Sequence, residues 1–215
     1  MTSSHRADLV RESYDQVAEL YLEARDEWQS TPHLDRLLVR LKPGSRILDV
    51  GCGAGVPIDS YLAERGLEVV GLDISPRQVE LATKNVPAGR FETRDMQELR
   101  EGEFKVDAVI SFYAIFHTPR GSHAKTFRTL ASYLPPGGLM LVTMGAGEWE
   151  GEEDLLGARM WWSHYGVEKN RELIEAAGFR VVHEEIDSSA DENHQIILAE
   201  KMEADGPATG QSVSS

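Results

Sequence analysis

The sequence predicts an α/β fold, in which a mostly parallel β-sheet carries helices on both of its faces. Three observations lead to this prediction. Short apolar runs alternate with helix-compatible segments from about residue 46 onward. Runs such as Asp107-Ala-Val-Ile-Ser111 are apolar throughout their centre, which is typical of strands buried on both faces. A turn with glycine at alternate positions, residues 51–55, directly follows the first of these runs.

Two helices are predicted ahead of the first strand. Residues 5–27 place apolar and aromatic side chains at helical spacing. Thr31-Pro32 is a typical helix start, and this second helix is predicted to run to about Leu41. The sequence Lys-Pro-Gly at residues 42–44 then ends it. Residues 1–44 are therefore predicted to form a helical cap on the domain that follows.

Residues 45–202 are predicted to form one domain of alternating strands and helices. Strands are predicted near residues 46–50, 68–72, 89–92, 106–111, 138–144, 179–186 and 194–200, and helices near 56–65, 76–86, 121–134 and 167–177. The last two strands are separated only by a loop, so they can pair antiparallel at one edge. Residues 145–166 have little regular pattern and are predicted to be a long loop. Residues 203–215 are small and polar, which predicts a disordered tail.

Length and composition fit one globular α/β domain. The chain has 215 residues and a hydrophobic content of 41%, which is enough for a core of ordinary size. No apolar run approaches the roughly 20 residues that a membrane span needs, and the first eight residues lack the apolar segment of a signal peptide. Cys52 is the only cysteine, so an intramolecular disulfide is impossible. These features predict a cytoplasmic protein that does not act at membranes.

The net charge of −14 restricts the partners of the protein. Such a surface repels phosphate backbones, and no cluster of Lys and Arg offsets it. Nucleic acids and anionic membranes are therefore excluded as expected partners, and a small molecule or a peptide is favoured as substrate. The sequence leaves open whether the protein is a monomer or a homodimer.

Three acidic positions and a glycine turn stand at a characteristic spacing. Asp49 ends the first predicted strand, and the turn G-x-G-x-G follows it at residues 51–55. Such turns bring bare backbone N–H groups against a ligand. Asp73 follows Gly55 by 18 residues, at the end of the second strand, where a carboxylate can accept hydrogen bonds from ribose hydroxyls. Asp95 can accept from an exocyclic amine, and the neighbouring Met96 offers an apolar contact to a purine.

These motifs, in this order, resemble the class I S-adenosylmethionine-dependent methyltransferases over residues 45–200. The resemblance implies a Rossmann-like seven-stranded sheet with strand order 3-2-1-4-5-7-6 and S-adenosyl-L-methionine as cofactor. It also implies that these residues bind the cofactor: Asp49, Gly51, Gly53, Gly55, Asp73, Ile74, Asp95, Met96, Ser111, Tyr21 and Arg25. A glycine turn that only reverses the chain, with solvated carboxylates, is the alternative interpretation.

The loop after the fourth strand carries a candidate catalytic histidine. Pro119 disfavours a helix here, so His117 is expected on a loop at the ligand end of the sheet. In many small-molecule methyltransferases a histidine at this place faces the methyl group. His117 is thus interpreted as a general base or an orienting donor, with a structural hydrogen bond to a loop carbonyl as the alternative. Tyr113, in the same segment, is predicted to contact the substrate.

The predicted loop 145–166 holds three of the four tryptophans of the chain. So many aromatic residues at the ligand end are typical of a substrate wall or lid, although a hydrophobic cluster that pins the loop is the alternative. Trp162, Ser163 and Tyr165 are predicted to bind substrate, and His164 is predicted to converge with His117 on the acceptor. The acidic run at residues 148–154 lacks a histidine at ligand spacing, so no metal site is predicted.

The N-terminal helix has the pattern Tyr-Asp-x-x-Ala-x-x-Tyr at residues 14–21. Tyr14 and Tyr21 are seven residues apart, and Arg25 lies four beyond, so the three share one helix face. In related methyltransferases a helix with this pattern closes over the cofactor. The resemblance therefore places Tyr21 and Arg25 near the cofactor or a substrate carboxylate, and Tyr14 near the reacting centre. Ordinary amphipathic packing is the alternative.

The function predicted from the sequence is methyl transfer from S-adenosylmethionine to a small molecule or peptide. Methylation of oxygen, in a hydroxyl or a carboxylate, is slightly favoured. N- or C-methylation of a natural-product intermediate is the first alternative, and a non-catalytic module that only binds the cofactor is the second. A nucleic-acid methyltransferase is disfavoured, because Ser111-Phe112-Tyr113 stands where such enzymes carry an Asn-Pro-Pro-Tyr type of motif.

Overall fold

The seven predicted strands form one sheet, and two further strands form a separate hairpin. The computed structural model describes residues 3–25, 31–188 and 193–203. The strands are β1 (Arg46–Val50), β2 (Glu68–Asp73), β3 (Arg90–Thr93), β4 (Ala108–Ser111), β5 (Leu139–Gly145), β6 (Trp149–Leu155), β7 (Ala158–His164), β8 (Phe179–Asp187) and β9 (His194–Lys201). The helices are α1 (Ser3–Arg25), α2 (Thr31–Leu38), α3 (Ile58–Ala63), α4 (Pro76–Asn85), α5 (His123–Ala131) and α6 (Val167–Ala176).

The order of strands in the sheet is β3-β2-β1-β4-β5-β9-β8. Strands β1 to β5 pair in parallel, while β9 pairs antiparallel with both β5 and β8. Because β8 and β9 are the sixth and seventh strands of this sheet along the chain, the predicted order 3-2-1-4-5-7-6 is confirmed. The predicted antiparallel edge is confirmed as well.

The sheet separates two hydrophobic cores, and β1 shows how. Leu48 packs on one face with Phe127 of α5 and Ile174 of α6. Its neighbour Ile47 packs on the other face with residues of α2 and α3, for example Leu62. Successive side chains of a strand point to opposite faces, so one continuous apolar run supplies both cores. The predicted arrangement of helices on both faces is confirmed.

The structure corrects the prediction for residues 145–166. Strands β6 and β7 within this segment pair antiparallel as a two-stranded hairpin. Its connection, Leu156-Gly157, has positive φ at both residues, 54° and 87°, as tight hairpin turns require. The prediction failed because β6 is mostly acidic and because leucine, rather than Asn or Gly, stands first in the turn.

Helix α1 lies between α4 and the β6–β7 hairpin. Ala18 is fully buried against Ala54 of the glycine turn and Leu81 of α4. On the other side, Val17 packs against Ala158 of β7. Helix α1 therefore joins α4 to the β6–β7 hairpin, whose strands do not pair with those of the seven-stranded sheet. A domain boundary near residue 45 stays a prediction.

None of the helices in residues 3–25, 31–188 and 193–203 is long and apolar enough to cross a membrane. Residues 204–215 of the predicted tail lie outside the described residues.

Candidate active site

The carboxyl ends of β1, β2 and β4 converge on a cavity of about 650 Å³, here named the first cavity. Ligands of open α/β sheets bind at this end of the strands. Helix α1 closes one side of the cavity. The first cavity is lined by Ala7, Val10, Tyr14, Tyr21, Val50, Gly51, Gly53, Leu72, Asp73, Ile74, Gln78, Arg94, Asp95, Met96, Gln97, Phe112, Tyr113, Ala114, His117 and Thr118.

The glycine turn between β1 and α3 is tightly enclosed by its neighbours. Gly51 has a φ of +91°, and a Cβ at this position would overlap the Cβ of Ala114 in the loop after β4. Gly55 has a φ of +75°, and a Cβ there would lie 3.3 Å from the backbone of Ala82 in α4. The backbone N–H of Gly51 donates to the carbonyl of Leu72 at 2.7 Å. The backbone of the turn, and not its side chains, therefore forms the floor of the first cavity.

Asp73 ties the end of β2 to this turn. Its two carboxylate oxygens accept from the backbone N–H groups of Gly53 and Ser75, each at 2.9 Å. Ser75 in turn caps α4 by accepting from the backbone N–H of Gln78, and Pro76 occupies the first helical position, as predicted. Asp73 also lines the first cavity, where a carboxylate is an acceptor for the hydroxyls of a ligand.

Asp95 lines the first cavity as well. Its carboxylate accepts from the backbone N–H of Gln97 at 2.8 Å and caps the short 3₁₀ turn that begins at Met96. Burial raises the pKa of Asp95 above its usual range. Ile74 and Met96 add apolar surface to the same lining. A cavity lined by two carboxylates and apolar side chains fits a nucleoside that has a diol and an exocyclic amine.

Three of the predicted cofactor-binding residues whose side chains the structure describes do not line the first cavity. Asp49 is 1% exposed at the end of β1, and Gly55 lies against α4. Ser111 is fully buried, and its hydroxyl donates to the carbonyl of Val50 at 2.6 Å, which joins β4 to β1. The side chain of Arg25 lies outside the described part of the structure. Asp49, Gly55 and Ser111 therefore pack behind the residues that line the cavity.

Tyr14 and His117 form a directed chain of hydrogen bonds inside the first cavity. Nδ1 of His117 lies 2.7 Å from the carbonyl oxygen of Trp161, which can only accept, so Nδ1 carries the proton. Nε2 is then the acceptor of the neutral ring, and the Tyr14 hydroxyl donates to it at 2.9 Å. Tyr14 itself lines the first cavity. The chain runs from the cavity through Tyr14 and His117 to the backbone of β7.

Burial keeps His117 neutral. The ring is 8% exposed, and desolvation lowers the pKa of His117 to about 4, against the hydrogen bond to the Trp161 carbonyl, which raises it. Repulsion from His164 lowers the pKa further. At neutral pH the imidazole therefore stays in the tautomer that accepts from Tyr14.

Asp15 fixes the position of α1, a role that the sequence analysis did not assign. Its carboxylate accepts from the Ser75 hydroxyl at 2.6 Å and from the backbone N–H of Arg77 at 3.1 Å, at the N-terminus of α4. The Arg77 guanidinium also pairs with Glu19, one helical turn further along α1. The Tyr-Asp-x-x-Ala-x-x-Tyr pattern thus alternates cavity-facing tyrosines with residues that dock the helix. The pattern itself was the signal for this role.

The predicted substrate residues of β7 and the segment after it have different positions. The Trp162 ring lies 5.5 Å from the His117 ring. Ser163 is fully buried, donates to Glu150 at 2.7 Å and accepts from the backbone N–H of Arg120 at 2.9 Å, so it joins the hairpin to the loop after β4. The Tyr165 ring packs 6.2 Å from His123, away from the first cavity. Ser163 and Tyr165 are thus placed in supporting positions.

His164 does not share the first cavity with His117. It lines a second cavity, together with Trp162, at the end of β5 beside the β6–β7 hairpin; we name this the hairpin cavity. The expected convergence of His117 and His164 on one space is therefore corrected. Trp161 supplies the carbonyl for His117, whereas the His164 ring, three residues further along β7, is held by the carbonyl of Gly147 at the hairpin cavity.

Tyr113 and Cys52 complete the description of the predicted residues. Tyr113 has a φ of 55°, a rare value for a bulky residue, and it lines the first cavity. Its contact with substrate stays a prediction. The Cys52 thiol is buried, and its pKa is raised by desolvation and by the nearby Asp73. Cys52 is therefore a packed side chain and not a nucleophile. Among residues 3–25, 31–188 and 193–203, no group of His, Cys, Asp and Glu is arranged to hold a metal.

Comparisons with known proteins identify relatives of this chain. A family model described as "Methyltransferase domain" matches residues 22–184. The 2-methyl-6-phytyl-1,4-hydroquinone methyltransferase of Synechocystis is 32% identical over 117 residues, which are 53% of this chain and 35% of that protein. This chain thus spans about a third of that relative's length.

Two solved structures share the fold. The 1,6-didemethyltoxoflavin-N1-methyltransferase of Burkholderia thailandensis, with S-adenosylhomocysteine bound, superposes with a TM-score of 0.76 at 18% identity and covers 94% of this chain and 92% of its own. The [4+2]-cyclase SpnF superposes with a TM-score of 0.70 at 20% identity and covers 90% and 95%. At these identities the two structures establish the fold only.

Proposed function

The chain belongs to the class I S-adenosylmethionine-dependent methyltransferase family, and we propose that it methylates an oxygen of a small molecule or peptide. One observation supports this acceptor chemistry above the others. The chain of hydrogen bonds through Tyr14 and His117 opens into the same cavity as the glycine turn, Asp73 and Asp95. One cavity therefore contains both the residues proposed to bind the cofactor and the proposed proton acceptor.

The residues of the first cavity fit S-adenosyl-L-methionine. Asp73 would accept from the ribose hydroxyls, Asp95 from the adenine amine, and Ile74 and Met96 would contact the purine faces. Gly51 and Gly53 line the same cavity and carry no side chains, so their backbone would face the amino-acid end. When bound, this cofactor supplies a methyl group activated by the positive sulfonium, so the protein has only to position the acceptor and to move its proton.

Tyr14 and His117 provide the route for that proton. An acceptor hydroxyl can donate to the Tyr14 oxygen while the Tyr14 hydroxyl donates to Nε2 of His117. As the acceptor oxygen loses electron density, its proton passes to Tyr14 and the Tyr14 proton shifts toward His117. The Trp161 carbonyl accepts from Nδ1 and stabilises the positive charge that develops on the ring. Trp161 is 6% exposed, so water has little access to this end of the chain.

A hydroxyl acceptor fits the first cavity better than a carboxylate. Arg94 is the one cationic side chain among the described residues that line the cavity, and its guanidinium is bound to Glu103 at 2.7 Å. Asp73 and Asp95 add negative charge to the same space. A carboxylate acceptor would therefore enter without a described cation to hold it, whereas a hydroxyl needs the proton acceptor that Tyr14 offers.

Methylation of nitrogen or carbon is the second candidate. The Burkholderia relative is by name an N1-methyltransferase, and a neutral amine would use the same proton route. The third candidate is a protein that binds the cofactor without transferring its methyl group, because SpnF shares the fold and is by name a cyclase.

The test is transfer of a labelled methyl group from S-adenosylmethionine to a panel of phenols, alcohols, amines and short peptides. We expect label on a hydroxyl oxygen, identified by mass spectrometry and by the chemical shift of the new methyl group. Label on nitrogen or carbon alone would replace the proposal by the second candidate. Binding of S-adenosylhomocysteine without any transfer would support the third.

A further inference from the structure

The hairpin cavity has no part in the contacts assigned to the cofactor or to proton transfer. Its empty volume is about 670 Å³, and it lies at the end of β5, between the start of β9 and the β6–β7 hairpin. Six side chains define its chemistry: Phe116, Trp149, Glu153, Trp162, His164 and His194. Five of them carry flat rings. A space of this size and lining is typical of a binding site for a small organic molecule.

The two cavities are neighbours, because rings that line one contact rings that line the other. The Phe116 and Trp162 rings line the hairpin cavity and lie 5.0 Å and 5.5 Å from the His117 ring. The His194 ring lines the hairpin cavity and lies 4.9 Å from Tyr113, which lines the first cavity. A molecule in the hairpin cavity is therefore within one ring of the Tyr14–His117 chain.

The local backbone makes room for the rings of the hairpin cavity. A Cβ on Gly145 would overlap the His164 imidazole, and a Cβ on Gly151 would come within 2.9 Å of the Trp149 indole. The carbonyl of Gly145 accepts from Asn170 at 3.0 Å, which fixes this backbone from behind. Two glycines thus allow two rings to lie flat on the backbone, and Trp149 remains 46% exposed. An exposed tryptophan on a fixed backbone is typical of a binding surface.

The orientation of His164 is fixed as well. Its Nδ1 donates to the carbonyl of Gly147 at 2.6 Å, since that oxygen can only accept. The neutral ring then offers Nε2 as an acceptor. Among the described residues that line the hairpin cavity, Glu153 is the one side chain with a full charge, and no Lys or Arg is present. The cavity therefore offers ring faces and one carboxylate, but no Lys or Arg for an anion.

We infer that the hairpin cavity binds the part of the acceptor that is not methylated, and that this part is an unsaturated ring, uncharged or cationic. The inference rests on the proposed function. Ring faces of Trp149 and Trp162 attract flat apolar groups and cations, and Glu153 adds a preference for positive charge. An anionic ring would lose its hydration and gain no opposite charge. The hairpin is thus the element that determines which acceptors are bound.

The experiment compares three naphthalene probes: 2-naphthol, 2-naphthylmethylammonium and 2-naphthoate. Dissociation constants are measured by calorimetry in the presence of saturating S-adenosylhomocysteine. We expect the neutral and cationic probes to bind about tenfold or more tightly than the anionic one. Trp149→Ala should weaken the first two about tenfold and leave cofactor binding unchanged. Glu153→Gln should weaken only the cationic probe.

The control is Leu156→Asn, which removes an exposed apolar side chain from the turn of the same hairpin without touching the cavity. Its affinities should equal those of the wild type. Absent binding of all three probes, equal affinity for the anion, or affinities that Trp149→Ala leaves unchanged would each overturn the inference.

The Tyr14→Phe variant separates this inference from the proposed function. It should keep the preference for the neutral and cationic probes over the anionic one, because Tyr14 does not line the hairpin cavity. Methylation of naphthol or of any other hydroxyl should fall at the same time. If the probes bind as expected and no wild-type hydroxyl is ever methylated, the proposed O-methylation fails and the ring-binding site remains.

Discussion

The first cavity and the hairpin cavity are each enclosed by a different kind of contact. Carboxylates and backbone N–H groups enclose the first cavity, as the pairs Asp73–Gly53 and Asp73–Ser75 show. Rings and glycine backbone enclose the hairpin cavity, as His164 on Gly145 shows. Backbone contacts fix a geometry that many side-chain changes leave intact, whereas ring contacts change with each substitution. The first cavity, proposed to hold the cofactor, should therefore tolerate side-chain changes better than the hairpin cavity, proposed to hold the acceptor ring.

The largest expected effect comes from a substitution in the glycine turn that encloses the first cavity. Gly51→Ala introduces a Cβ that overlaps Ala114 at a φ of +91°. We expect the free energy of unfolding to fall by about 3 kcal/mol, from overpacking and from backbone strain together. Gly137→Ala is the matched control, because Gly137 has a φ of +78° with nothing near its Cβ position. That control should lose only about 1 kcal/mol. Equal losses in denaturant unfolding would show that the close approach to Ala114 has no cost.

The next prediction concerns the chain of hydrogen bonds through Tyr14 and His117 in the first cavity. Tyr14→Phe removes the donor to His117 and the oxygen that receives the acceptor proton. We expect kcat for a hydroxyl acceptor to fall about a hundredfold, with unchanged affinity for S-adenosylhomocysteine. Tyr133→Phe is a control at a distance, since that hydroxyl donates to the backbone carbonyl of Arg100. It should leave kcat unchanged, and a Tyr14→Phe enzyme with full kcat would remove Tyr14 from the mechanism.

Acid should destabilise the protein, because two buried histidines take up protons more readily in the unfolded chain. Desolvation lowers the pKa values of His117 and His123 to about 4, below the ordinary value of 6.5. The unfolded chain therefore binds more protons between pH 6.5 and pH 4, so stability is complete above pH 6.5 and is lost as the pH falls through that window. Each histidine can account for about 3 kcal/mol of this loss.

Urea unfolding at a series of pH values measures the effect. His123→Asn should make the decrease between pH 6.5 and pH 4 shallower, without a change at pH 8. Since His117 is neutral well below pH 6.5, kcat should also show no inflection near pH 6.5 that belongs to this residue. A decrease of the same slope in His123→Asn would contradict the assignment.

The smallest expected effect concerns the docking of α1. Asp15→Ala leaves the Ser75 hydroxyl and the backbone N–H of Arg77 without their acceptor. We expect a loss of about 1–2 kcal/mol in unfolding free energy and a modest weakening of cofactor binding, because α1 lines the first cavity. Glu12→Ala on the same helix is the control, since its only described ion pair is a surface contact to Arg11. It should change stability by less than about 0.5 kcal/mol. Equal effects would contradict the docking role.

The sequence predicted the seven-stranded sheet and its glycine turn well, and the β6–β7 hairpin poorly, for a physical reason. The strands, the glycine turn, Asp73 and Asp95 are local signals, because each depends on a few consecutive residues. The contact between Tyr14 and His117 joins residues that are 103 positions apart, and only folding reveals it. The hairpin was missed because charges on β6 and leucine at its turn masked the period of a strand. Ser163, predicted at the substrate, instead satisfies Arg120 and Glu150.

Calorimetric titration with S-adenosylhomocysteine, on the wild type and on Asp73→Asn, tests the central claim most directly. The account predicts one molecule bound per wild-type chain in the first cavity. It predicts an affinity about a hundredfold lower for the variant, because the charged acceptor for the ribose and for Gly53 is lost. Retained folding of Asp73→Asn would be verified by its thermal transition. No binding to the wild type, or equal binding by both proteins, would contradict the claim that this cavity holds the methyl donor.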